Sequence, residues 1–269
     1  MAASPGKSST SPTSCAAPSD GVTGSPEQRA RLYGRRRGRP LREGRRRIKD
    51  ELLPRLSIVL PERGGLDPFA LFPERPAAVW LEIGFGGGEH LAEQAERHPE
   101  IGLVGCEVFE NGVARLAGEI AARSLANVRV FTDDARLLIE ALPPASIARV
   151  FILFPDPWPK ARHHKRRLVA RLTLDRLAEI MMDGAELRLA SDDPGYLAWM
   201  LEQATGHPDF VWLARRPADW RERPPDWPPT RYEEKAVAAG RTPAFLRFVR
   251  RPRQATGTTT LKPDRIVLP

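Results

Sequence analysis

The chain has 269 residues, 41% of them hydrophobic, enough to bury the core of one large α/β domain with tails at either end. Its net charge of +8 is uneven: residues 31–49 hold ten Arg or Lys against Glu43 alone and carry +9, so the remainder carries −1. Its two cysteines, Cys15 and Cys106, lie far apart with no CxxC spacing and no clustered histidines. That pattern excludes a disulfide framework and leaves no metal site to expect.

Residues 1–20 are rich in Ser, Pro, Ala and Thr and lack the apolar core of a signal peptide, and the longest strongly apolar run is 150–154. A cytoplasmic protein with no membrane partner is the expectation. Residues 1–30 are expected to be a disordered extension, because a segment this poor in large apolar residues cannot offset its ordering entropy. A basic arm and docking helix follow over 31–56, where Ile48, Leu52, Leu53 and Leu56 fall at helical spacing and Pro54 threatens to end or kink the helix. Arg35, Arg36 and Arg37 in this arm suit a polyanion, whose phosphates supply affinity without sequence information. The alternative is a solvated tail.

A single domain is expected over 57–252, with a tail at 253–269. Short apolar runs at 79–83, 102–107, 128–131, 150–154, 186–190, 211–214 and 245–249 alternate with amphipathic stretches at 89–97, 112–123, 135–141, 166–181 and 195–205. This alternation predicts a doubly wound, Rossmann-like α/β fold: a seven-stranded, mostly parallel sheet with helices on both faces.

The first strand runs into a glycine loop, Gly84-Phe85-Gly86-Gly87-Gly88, that opens a helix. Glycines permit the turn and let main-chain N–H groups approach a ligand. A nicotinamide loop needs a third glycine where this chain has Glu89. The spacing Gly84, Gly86, Gly88 suits the methionine end of S-adenosylmethionine instead.

Acids follow at successive strand ends. Glu107 lies 25 residues after Glu82, where a doubly wound fold places the carboxylate that accepts both ribose hydroxyls. Of the pair after the third strand, Asp134 is assigned to the adenine side of the ligand and Asp133 to the helix N-cap. After the fourth strand comes Phe154-Pro155-Asp156-Pro157-Trp158-Pro159-Lys160, whose prolines stiffen a loop at the ligand-binding edge of the sheet. It presents Asp156 and Trp158 in one orientation, Trp158 either stacking on a base or packing in the core. The basic run Lys160, Arg162, Lys165, Arg166 and Arg167, with His163 and His164 between, suits phosphates around a target nucleotide.

Together these stretches resemble the bacterial tRNA (guanine-N7-)-methyltransferase family, with its class I methyltransferase fold, over about 31–250. The most specific parts are Leu81 to Gly86, Phe154 to Lys160, Ala190-Ser191-Asp192 and Thr230-Arg231-Tyr232-Glu233. The resemblance implies that Glu82, Glu107, Asp134 and Asp156 line an S-adenosylmethionine site. It implies that Lys160, Asp192, Thr230, Arg231, Tyr232 and Glu233 contact a substrate guanosine of the tRNA variable loop, and that 162–167 contact RNA. The chain departs from the pattern in carrying Pro159 where a His is frequent, so no catalytic role is carried over to that position. It also has a longer N-terminal extension. Asp156 is the catalytic candidate; tRNA is the expected partner and DNA is not. A class I enzyme acting on another RNA or a small molecule shares the glycine loop but has no use for both basic regions. A non-catalytic RNA-binding module explains the charges but not the ordered acids.

Overall fold

The computed structural model describes residues 34–62 and 65–254. The expected extension 1–30, Arg31 and most of the expected tail lie outside the described residues. Helix α1 (Glu43–Leu56) starts slightly earlier than its apolar spacing indicates. Pro54 sits in its last turn, where the missing N–H forfeits one hydrogen bond and the helix carries on.

Strands β1 (Ala78–Ile83), β2 (Ile101–Cys106), β3 (Val128–Phe131), β4 (Ile147–Leu153), β5 (Met181–Ser191), β6 (Phe210–Trp212) and β7 (Ala244–Arg250) form one seven-stranded sheet in the order β3-β2-β1-β4-β5-β7-β6. The first five are mutually parallel and β7 runs antiparallel to both β5 and β6. β1 lies inside the sheet between β2 and β4 and is buried from Val79 to Ile83, which is why it reads as a continuous apolar run broken only by Glu82.

Successive β1 side chains face opposite layers. Val79, Leu81 and Ile83 join the core under α4 (Ala135–Ala141), α5 (Arg171–Ile180) and α6 (Pro194–Thr205). Trp80 joins the core under α2 (Glu89–Arg97) and α3 (Glu110–Arg123), to which α1 adds Leu56. Strand order reverses between β1 and β4, so a crevice opens beyond their C-terminal ends. The glycine loop follows β1 and the Asp156 loop follows β4, one on each side of that crevice.

Two expected elements differ in kind. The helix expected over 166–181 divides into a 3-10 helix, Ala161–Arg166, and α5, because Arg167 and Ala170 are extended. β5 then begins directly at Met181, with a register shift opposite β4 and Gly184 at φ 78° taking up the irregularity. Helices α7 (Ala218–Arg221) and α8 (Arg231–Ala238) were not foreseen. The signal for α8 was present: Thr230-x-x-Glu233 is a capping box, and the Thr230 hydroxyl accepts from Glu233 N at 3.1 Å.

Candidate active site

Gly84, Gly86 and Gly88 all have left-handed φ, at 77°, 57° and 81°, so the loop after β1 has a path that residues with a Cβ adopt only at a cost. The close approach is at Gly112 on α3, where a Cβ would come within 2.0 Å of the Gly86 carbonyl oxygen. Gly88 serves as the N-cap position of α2, leaving the first N–H groups of that helix at the crevice. Glu82 lies beneath this loop and does not open into the crevice. It is 3% exposed and its Oε2 lies 2.7 Å from His90 Nδ1.

Glu107 stands just past β2. Its Oε1 accepts from the main-chain N–H of Val108 and Phe109, and its Oε2 from Gly86, all within 2.9 Å. A carboxylate has roughly four lone-pair sites, so one remains, on Oε2. The carboxylate has room for one further donor, where the expectation is that two ribose hydroxyls share it. Burial raises its pKa, the three main-chain bonds oppose the rise, and the nearby Asp156 charge adds to it.

The two aspartates after β3 depart from their expected parts. Asp134, not Asp133, is the N-cap of α4, accepting from Arg136 N at 3.1 Å and pairing with the Arg136 guanidinium. Asp133 reaches the arm instead, with Arg36 Nη2 at 2.9 Å. Asp134 stands one residue before the helix with a non-helical backbone, φ −59° and ψ 119°, as a cap requires.

The loop after β4 is bracketed by two residues in the left-handed region, Phe154 at φ 52° and Trp158 at φ 45°. Neither is glycine, so each carries backbone strain that the surroundings must hold in place. Phe154 N donates to Ala190 O at 2.8 Å and Arg167 Nε donates to Pro157 O at 2.9 Å. Arg167 is 6% exposed and lies over the rings of Tyr196 and Trp199. Its assignment to RNA is therefore corrected: it is an internal brace of the loop. Trp158 is half-buried, with the Arg166 guanidinium 4.9 Å from its ring and His163 packed edge-on. His164 packs on Trp199. Lys160, Arg162 and Lys165 are exposed. Their side chains make no hydrogen bond or ion pair among the described residues.

Asp156 projects from this loop and is exposed, but the surrounding protein raises its pKa by burial. Tyr232 of α8 lies against the glycine loop from the far side: a Cβ at Gly86 would meet its ring at 2.6 Å. Burial raises the Tyr232 phenol, and the charges of Glu107 and Asp156 raise it further. The glycine loop, Glu107, Asp156 and Tyr232 thus meet at one place.

Around them, Asp192 Oδ2 accepts from Arg241 at 2.6 Å, and Glu233 accepts from Arg223 at 3.0 Å. Thr230 is spent as the cap of α8. Arg231 lines a cavity of about 550 Å³ with Arg45, Glu89, Arg115, Pro229 and Glu234. The arm is docked and not loose in its described part: Glu110 N donates to Arg36 O, Asn111 bonds Gly38 and Arg39, and Lys49 pairs with Glu110 at 2.7 Å. Among the described residues no group of three or more His, Cys, Asp or Glu is placed to hold a metal ion, and no helix is long and apolar enough to cross a membrane.

The family described as "Putative methyltransferase" matches residues 76–246. The chain is 52% identical to the tRNA (guanine-N(7)-)-methyltransferase of Rhodospirillum rubrum, over 86% of this chain and 91% of that protein. The chain belongs to the tRNA (guanine-N(7)-)-methyltransferase family. A second member, from Paramagnetospirillum magneticum, is 51% identical over 84% of this chain and 95% of its own length. A third, from Ruegeria, is 48% identical over 81% and 87%. Membership of this family agrees with the sheet, whose antiparallel β7 inserted between β5 and β6 separates it from a dinucleotide-binding domain. Sequence reasoning missed Gln94 and Arg188, which both bond to Asp226, and Arg223, which bonds to Trp227 and Glu233, on the segment leading to Thr230. No local motif marks them, since they meet only through the tertiary fold.

Proposed function

We infer that this chain transfers the methyl group of S-adenosylmethionine to N7 of a guanosine in tRNA, in the cytoplasm. The observation that carries this reading is the meeting of the glycine loop, Glu107, Asp156 and Tyr232 beyond β1 and β4, next to exposed cations. S-adenosylmethionine supplies, when bound, a methyl group on a cationic sulfur. The residues present fit it: Glu107 keeps one lone pair for a ribose hydroxyl, and the α2 N-terminus offers N–H groups to a carboxylate. Asp134, at the end of β3, would border the adenine with a carboxylate already engaged by Arg136. Glu82 acts indirectly, by holding α2 through His90.

Guanine N7 has an in-plane lone pair and no proton, so attack on the methyl group needs no general base. The protein's part is alignment and electrostatics. In-line placement of the two reactants is worth roughly 7 to 11 kcal/mol of barrier. Asp156 offers a negative charge to a purine ring that becomes positive as the methyl group arrives, and its strained, braced loop fixes where that charge sits. Tyr232, Glu233 and Asp192 border the guanosine, and Lys160, Arg162 and Lys165 hold its phosphates.

The test is transfer of labelled methyl groups to an unmodified tRNA transcript and to one in which 7-deazaguanosine replaces guanosine. Transfer to the first and none to the second is expected, because the deaza base lacks the attacking nitrogen. Equal labelling of both overturns the assignment of N7.

A further inference from the structure

A row of buried polar groups lies behind the crevice and joins three of its walls. Arg188 on β5 is 2% exposed and set between the rings of Phe151 and Trp227. It donates through Nε to Glu186 at 2.8 Å and through Nη2 to the Asp226 carboxylate at 2.6 Å. From the other side Gln94 on α2, also buried, donates through Nε2 to the main-chain carbonyl of Asp226 at 2.9 Å. The same Gln94 nitrogen lies 3.3 Å from His90 Nε2, and His90 Nδ1 lies 2.7 Å from Glu82. An amide NH₂ only donates, so the network assigns His90 Nε2 as acceptor and Nδ1–H as donor to Glu82.

Asp226 is thus held twice, by its side chain from β5 and by its main chain from α2. Helix α2 starts at the glycine loop, and β5 ends at Ser191, beside Asp192. Thr230, which opens α8, follows Asp226 closely through a stretch with no helix or strand of its own. Arg223 completes the brace by donating to Trp227 O at 2.5 Å and Glu233 at 3.0 Å. Packing alone is better served by apolar side chains. Arg188 Nη1, Gln94 Oε1 and Trp227 Nε1 are buried without a protein partner, and an apolar filling avoids that desolvation. What the polar row adds is direction, a fixed register between elements that no sheet ladder connects.

We propose that Asp226 is a positioning residue for methyl transfer: with Arg188 and Gln94 it sets α8, and with it Tyr232 and Glu233, against the glycine loop. The proposal rests on the reading that α8 carries substrate contacts. Its test uses Asp226→Ala, Asp226→Asn and Gln94→Leu in the full chain. The measurements are steady-state kinetics on unmodified tRNA well below the melting temperature, calorimetric titration with S-adenosylmethionine, and thermal melting.

Asp226→Ala and Gln94→Leu are expected to lower kcat/KM for tRNA by about 10- to 100-fold, with kcat itself reduced, while S-adenosylmethionine affinity stays within about twofold. Asp226→Asn keeps an oxygen acceptor for Arg188 and recovers most of the rate. Variants that melt lower yet turn over with wild-type kcat and KM reduce the row to packing and overturn the proposal, as does an Asn variant no better than Ala. Gln94→Leu leaves the Arg188–Asp226 pair intact, so it reports even where Asp226→Ala fails to fold. Wild-type methylation at another tRNA atom fails the N7 reading, while the variant-to-wild-type ratios still decide whether Asp226 positions α8.

Discussion

The two basic stretches of this molecule have similar composition and opposite construction. In the arm, Arg36 and Lys49 are neutralised locally by Asp133 and Glu110, the acids that dock the arm on α3 and the loop after β3, and Arg35, Arg39 and Arg42 project with no ion pair among the described residues. After the Asp156 loop, the last arginine turns inward. Arg167 braces Pro157 from below, Arg166 covers Trp158, and Lys160, Arg162 and Lys165 are left at the surface. The difference teaches that a basic run divides by burial, its buried member setting a loop and its exposed members left to meet solvent or a polyanion. We propose that the arm serves attraction and the cluster placement, and the variants below break or sharpen that contrast.

The largest effect is expected at Asp156, the residue the cluster places. Asp156→Asn keeps the size of the side chain and removes its charge, and is expected to lower kcat by about 100-fold or more, the usual cost of one preorganised electrostatic contact. Because burial raises the Asp156 pKa above the ordinary 3.8, the folded state binds a proton at higher pH than the unfolded chain does. Its ionisation therefore costs stability as pH rises through the window just above 3.8. Asp156→Asn should melt at the wild-type temperature or higher at neutral pH, and wild-type kcat should fall as pH drops through the same window. A variant with wild-type single-turnover rates removes Asp156 from the transfer step.

Next come the cluster residues, which separate by burial. Arg162→Ala with Lys165→Ala is expected to leave melting unchanged and to lower turnover at saturating tRNA by about 10- to 100-fold, since misplacement by about 1 Å has that cost. Arg167→Ala is expected to destabilise the fold by about 1 to 3 kcal/mol, because it leaves the Pro157 carbonyl without its donor. Activity that returns fully on adding tRNA to the surface double variant refutes placement and makes the cluster a second arm.

What was legible in the sequence follows from how local each signal is. Strand and helix alternation placed six of the seven strands to within a few residues, because a parallel sheet buried on both faces imposes continuous apolar runs. The exception is β5, whose start at Met181 is hidden by the bulge at Gly184. The glycine loop, Glu107 and Asp156 were legible because strand order places residues after β1, β2 and β4 at one edge. Arg167 was misread because charge alone does not reveal burial; the rings that receive it, Tyr196 and Trp199, are some thirty residues away in sequence. The assignment of the α4 cap to Asp133 in place of Asp134 turned on one residue of helix boundary, where composition carries no information. Gln94, Arg188 and Asp226 were invisible because their pairing spans β5, α2 and an irregular segment at once.

The smallest effect is expected in the arm, and it falls on affinity. Each phosphate contact contributes roughly 0.7 to 0.9 to the slope of log K against log salt. Replacing Arg35, Arg39 and Arg42 by alanine should therefore flatten the slope for tRNA binding by about 2 to 3 units if all three meet phosphates. Turnover at saturating tRNA should stay within about twofold, because none of these three side chains is bonded to the glycine loop, Glu107, Asp156 or Tyr232. Arg36→Ala supplies the contrast within the arm. Its guanidinium already lies 2.9 Å from Asp133, so little counterion is released when RNA arrives, and its share of the slope should be well below that of an unpaired neighbour. The pair is exposed on both sides, so its loss should cost no more than about 1 kcal/mol of stability. Binding isotherms at several salt concentrations separate the cases. Equal slope changes for Arg36→Ala and Arg35→Ala mean that RNA displaces Asp133 from Arg36. In that event the Arg36 side chain turns from Asp133 to phosphate while the main-chain, Asn111 and Lys49 contacts still hold the arm on α3.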